Sequence, residues 1–60
     1  MDKLKEIRKT KKYSQKYLAK KLGVTQGAIS QWERGESRPN TENLIELSRV
    51  LHCSIEDLLF

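Results

Sequence analysis

At sixty residues and a net charge of +4, the chain reads as one domain spanning residues 1–60. A chain this short buries only about 60% of the surface its unfolded form exposes, which allows one core of short helices and no enclosed catalytic cleft. Its single cysteine, Cys53, excludes an internal disulfide; residues 1–12 carry basic groups without an apolar run, and nothing approaches the roughly 20 apolar residues of a membrane helix. The expectation is a soluble, cytoplasmic protein without a signal peptide.

Five short helices are predicted, an all-α architecture. Leu4 and Ile7 share one face of the first helix, with Asp2 as its N-cap. Ser14 caps the second, Tyr13 and Leu18 are spaced as a hydrophobic staple, and Leu18, Ala19 and Leu22 form its apolar stripe. Gly23 ends that helix where a left-handed residue is required. Thr25 caps the third, Ile29 and Trp32 supply its inner face, and Gly35 stops it. Pro39 excludes helix at Arg38, so residues 36–39 form a loop. Asn40 or Thr41 caps a fourth helix with Leu44, Leu47 and Leu51 on one side. Ser54 and Asp57 have capping-box spacing at the start of the fifth, flanked by Cys53 and Leu58.

Charge is distributed unevenly along this order. Residues 1–24 hold nine basic side chains against Asp2 and Glu6, a net +7; residues 39–60 hold Arg49 against Glu42, Glu46, Glu56 and Asp57, a net −3. By itself the pattern fits a polyanion-binding face and a solvated lysine-rich surface equally. The segment Gln15–Arg34 is more specific. Two helices meet across Gly23-Val24-Thr25, a link too short for an antiparallel hairpin, so they must cross steeply. Such a crossing calls for a small residue at the contact (Ala19), a positive φ in the turn (Gly23) and apolar packing beyond it (Val24, Ile29). These are the restraints of a helix-turn-helix.

On these residues the chain resembles the Cro/repressor-type, or XRE-like, helix-turn-helix family. Arg8, Ser14-Gln15, Leu18-Ala19, Gly23-Val24-Thr25, Ile29 through Gly35, and Pro39 all fall where that family has them. The run Ala28-Ile29-Ser30-Gln31-Trp32-Glu33-Arg34 is most similar to the branch of lambdoid and cryptic-prophage repressors.

The resemblance implies a bacterial or phage-encoded transcriptional regulator, a repressor, whose third helix enters the major groove of a palindromic double-stranded DNA operator. Gln26 and Gln31 are the expected base readers, since a glutamine amide can bond adenine N6 and N7 together. Ser30 is a weaker one. Gly27 lies where relatives place a base-touching side chain; either the backbone approaches the groove floor there or that base pair is left unread, the second being expected. Gln15, Arg34, Arg38, Asn40 and Arg8 are the expected phosphate contacts. Arg8 and Glu33 are also expected to pair, bridging the first helix to the end of the third. The lysines Lys16 and Lys20 read more simply as solvated.

Other residues read blandly. Trp32 is expected to be half-buried under the Arg38-Pro39 loop, and His52 to occupy a strained helix end. His52 and Cys53 are adjacent, which suits no single metal, and no further His or Cys completes a site. No enzyme, cofactor, small-molecule ligand or membrane contact is expected. Leu59 and Phe60, the apolar residues that a core holding Ile55 and Leu58 leaves over, are the candidates for a weak homodimer seam far from the basic half and reinforced by DNA. The alternative function is a protein-interaction module such as an antitoxin; the lack of a masking extension past Phe60 counts against it, although Phe60 reads equally as a natural end and as the edge of an excised reading domain.

Overall fold

The first turn of a helix leaves backbone N–H groups without partners, and a short chain with little core depends on side chains to satisfy them. The computed structural model, which describes residues 1–60, contains α1 (Asp2–Thr10), α2 (Gln15–Leu22), α3 (Gln26–Arg34), α4 (Thr41–Leu51) and α5 (Ile55–Leu59), and no strand. Four of the five start on a capping side chain. Ser14 accepts from the Tyr17 N–H at 2.9 Å, Thr25 from Ala28 at 3.1 Å, Asn40 from Asn43 at 2.8 Å and Ser54 from Asp57 at 3.0 Å. The Asp57 carboxylate accepts in return from the Ser54 N–H at 3.1 Å, completing a capping box.

The exception is α1. Asp2, expected as its cap, lies inside the first turn, and Met1 occupies the cap position without a side-chain hydrogen bond. A helix begun one residue earlier lets the Met1 ammonium donate to the Trp32 carbonyl at 2.8 Å. Asp2 there still faces the positive end of the helix dipole.

Left-handed residues follow α1, α2, α3 and α4. Gly23 and Gly35 sit at φ 71° and 75°, and no neighbour crowds either position, so backbone conformation alone calls for glycine. His52 takes the same conformation at the end of α4, with φ 53°, and Lys12 at φ 62° follows the C-terminal end of α1.

Every helix contributes to one core: Leu4 from α1, Leu18 and Ala19 from α2, Ile29 and Trp32 from α3, Leu47 and Leu51 from α4, and Leu58 from α5. Helix α3 packs on α1 and α2, while α4 and α5 close the other side against α2 and α1. Trp32 is 5% exposed and belongs fully to this core, deeper than the half-buried position expected of it. Ile55, by contrast, is only half-buried. No helix is long and apolar enough to cross a membrane.

Candidate nucleic-acid interface

Helix α3 divides cleanly into two faces. Ile29, Trp32 and Glu33 are buried; Gln26, Gly27, Gln31 and Arg34 are exposed, and Ser30 is half-buried beside them. Nine residues make a helix about 13 Å long. Its outer face is polar and carries no bulky apolar side chain, which suits a groove lined with hydrogen-bonding base edges about 12 Å wide. Gly27 is not demanded by packing: an added Cβ would meet only the Thr25 hydroxyl at 3.8 Å, an ordinary contact.

The inner face is fixed by a charged hub. Arg8 donates from Nε to Glu33 Oε2 at 2.6 Å and from Nη2 to Oε1 at 3.2 Å, and its Nη1 reaches the Tyr13 carbonyl at 2.8 Å. Gln15 Nε2 donates to the same Glu33 Oε1 at 2.9 Å. The Arg8 and Glu33 side chains are 9% and 3% exposed. Burial pushes the Glu33 carboxyl up, but the hydrogen bonds from Arg8 and Gln15, with the charge of Arg8, outweigh it and hold the group below its ordinary value of 4.5. The hub ties α1, the α1–α2 turn and the start of α2 to the penultimate residue of α3, and so sets how α3 projects. It also leaves little of the Arg8 guanidinium at the surface, and it engages one amide hydrogen of Gln15.

The remaining candidates lie past the end of α3. Arg34 is exposed but held: Nε and Nη2 donate to the two Glu36 carboxylate oxygens at 2.7 and 3.2 Å, and Nη1 donates to Ser30 Oγ at 2.7 Å. That bond fills one acceptor site on Ser30 and leaves its O–H to donate elsewhere. The Ser37 hydroxyl donates to Gln31 Oε1 at 3.3 Å. Asn40 is exposed with Oδ1 committed to capping α4, so its amide hydrogens remain available. Arg38 is exposed and enters none of the molecule's ion pairs.

Among the contacts that spacing in the sequence does not mark are Gln15 to Glu33, Glu36 to Arg34, and Ser37 to Gln31. The first joins residues eighteen apart, which no local spacing marks. The other two arise because left-handed Gly35 turns the chain back on α3, placing Glu36 beside Arg34 although residues two apart do not face each other along a helix.

Leu59 and Phe60 are 49% and 87% exposed. With Met1, Pro39 and Leu44 they border an open groove of about 600 Å³. Phe60 also borders a second groove with Lys3 of α1 and with Lys11, just past the end of that helix, so the expected separation of this patch from the basic half does not hold.

A family model described as helix-turn-helix matches residues 4–58. The HTH-type transcriptional regulator DicA of Escherichia coli (strain K12) is 49% identical over 53 residues, 88% of this chain and 39% of that protein. Repressor protein C2 of Salmonella phage P22 is 48% identical over 58 residues, 97% of this chain and 27% of that protein. The solution NMR structure of the DNA-binding domain of the P22 C2 repressor matches this fold with a TM-score of 0.89 at 48% identity, covering 97% of this chain and 76% of that one. The chain thus spans about a quarter to two fifths of the length of these two curated relatives. It belongs to the Cro/repressor-type helix-turn-helix family.

Proposed function

We propose that this chain is a sequence-specific double-stranded DNA-binding transcriptional regulator, a repressor, that reads a palindromic operator with α3 in the major groove. The observation that carries this reading is the outer face of α3: exposed and polar along its length, and held in one orientation by the buried Arg8–Glu33–Gln15 hub. The relatives named as a transcriptional regulator and as a repressor, and the neighbour named as a DNA-binding domain, support it. An antitoxin role fits less well, because a protein-masking face needs apolar anchors, which this face lacks.

In this reading Gln26 and Gln31 pair with base edges, Ser30 donates to a base or phosphate acceptor, and the base pair opposite Gly27 goes unread by any side chain. Arg34, Arg38, Asn40 and the first turn of α2 at Gln15 hold phosphates, while Arg8 serves the orienting pair. The role calls for no catalytic group or cofactor and locates the protein with the DNA, in a bacterial cytoplasm.

A second copy completes the site. The molecule measures 23 × 22 × 19 Å, so one copy spans roughly seven base pairs at 3.4 Å each, too few to single out an operator. Two copies related by a two-fold axis, with α3 helices about 34 Å apart, read successive turns of one groove. Leu59 and Phe60 supply the apolar seam of a weak dimer that DNA reinforces.

Titration of duplex DNA at increasing salt tests the partner class. Affinity should fall linearly on a log–log plot, and Arg38→Ala should flatten the slope by about one unit through loss of a phosphate contact. An affinity indifferent to salt would exclude DNA as the main partner.

A further inference from the structure

The ion pair at the end of α3 differs from the hub behind it. The Arg34 and Glu36 side chains are 57% and 56% exposed, so their attraction is screened and contributes little to folding. Their geometry is nonetheless well formed: a two-pronged fork of guanidinium on carboxylate, the arrangement arginine also adopts on phosphate. Nor is Glu36 a loose surface acid. Its backbone N–H bonds the Gln31 carbonyl at 2.9 Å, within the reversal made by Gly35, so the carboxylate is delivered to Arg34 by the backbone itself. On the other side Ser30 Oγ steadies Nη1, and Arg34 is thereby poised between a candidate base reader and an internal anion. Arg49 makes a useful contrast, meeting Glu46 on α4 through a single hydrogen bond at 3.1 Å with ordinary helical i,i+3 spacing.

Resting on the reading of α3 as a DNA-binding helix, we propose that Glu36 is an internal stand-in for a DNA phosphate. It holds the Arg34 fork in the free protein and hands it to the backbone when α3 docks. Glu36 is therefore a positioning residue acting through Arg34, and it lowers the affinity of the unmodified chain for duplex DNA.

The physical reasons follow from charge and geometry. An exposed pair is weak enough to exchange, whereas a buried one such as Arg8–Glu33 is not. A phosphate diester offers the same pair of oxygens to the fork, and neutralising it also releases condensed counterions, which a lone carboxylate does not. Until that exchange takes place, Arg34 contributes no net charge to the attraction of DNA, and Arg38 is the one arginine in this segment without an anionic partner. In the free state the pair also keeps a long, mobile side chain in one place, ready beside the groove edge.

The test uses the whole chain with an operator selected from random duplex DNA. The ¹³C signal of the Glu36 carboxylate is followed by NMR in the free protein and in the complex, with free Arg34→Ala giving the position of an unpaired Glu36. The signal should move on binding to that unpaired position. Alongside, Glu36→Gln should bind duplex DNA about two- to fivefold more tightly than the unmodified chain, as expected for removal of an exposed competing pair. The control Glu46→Gln removes an equal charge on α4 and should bind as the unmodified chain does. A Glu36 signal that stays at its paired position in the complex, or a Glu36→Gln affinity no higher than that of Glu46→Gln, overturns the handover while leaving DNA binding intact. Failure of the unmodified chain to bind any duplex would overturn the DNA reading and the handover together.

Discussion

Arg8 and Glu33, twenty-five residues apart in sequence, meet through two hydrogen bonds of 2.6 and 3.2 Å inside the protein, and Gln15 closes on the same carboxylate. Removing either ion would leave the other buried without its partner, which costs about 3–5 kcal/mol. That is comparable with everything a core of this size supplies. Arg8→Ala and Glu33→Ala are therefore each expected to be largely unfolded at room temperature by circular dichroism. Replacing both by apolar residues of similar size, Arg8→Met with Glu33→Leu, should recover much of the fold. A single variant as stable as the unmodified chain would contradict the role given to the hub.

Acid tests the same pair from another side. Burial raises the Glu33 carboxyl, and the bonds from Arg8 and Gln15 more than reverse this, so the folded protein binds that proton less tightly than the unfolded chain. The stability it contributes is complete above the ordinary value of 4.5 and is lost as pH falls through 4.5 towards the lowered folded value. Glu36, held low by its hydrogen bond from Arg34, acts in the same direction. The urea midpoint should be level above about pH 6 and fall below about pH 5. A midpoint that rises on acidification would contradict this balance.

Two helix ends carry a side chain where glycine fits better. His52 at φ 53° and Lys12 at φ 62° hold left-handed conformations that cost an L-residue about 1–2 kcal/mol, partly offset by the greater freedom glycine has when unfolded. His52→Gly and Lys12→Gly are each expected to raise stability by about 0.5–1 kcal/mol, read as a higher midpoint at unchanged denaturant slope. Gly23→Ala should lower it by about 1–2 kcal/mol through its backbone alone.

What the sequence conveys about this fold depends on distance. Ser14, Thr25, Ser54 and the glycines at 23 and 35 act on backbone within three residues, so their roles are legible from spacing. Asp2 has the local character of a cap but does not act as one, because the helix start also answers to a distant acceptor, the Trp32 carbonyl. Trp32 lies deeper than its local sequence suggests for a related reason: depth depends on elements brought over it from elsewhere in the chain. Family resemblance pairs Arg8 with Glu33, whereas their spacing does not. Glu36 and Ser37 stayed hidden because the reversal at Gly35 creates neighbours that helical periodicity does not.

Base reading is the proposed role of two amides on the exposed face of α3. Gln26→Ala and Gln31→Ala should each weaken binding to the best operator by about 1–3 kcal/mol while leaving non-specific binding nearly unchanged. Competition titrations with operator and random duplex measure both quantities. Equal weakening on every sequence would move these residues from the reading set to the phosphate set.

Selection of bound sequences from random duplex DNA measures whether α3 reads an operator in pairs. A polar α3 presented in pairs to successive major grooves predicts enrichment of a palindrome with half-sites one helical turn apart, about 10 base pairs centre to centre. The complex should hold two chains, and an isolated half-site should bind markedly more weakly. A bound pool no different from the input would contradict sequence-specific recognition by α3, and a half-site bound as tightly as the full palindrome, with one chain on each, would contradict the paired reader.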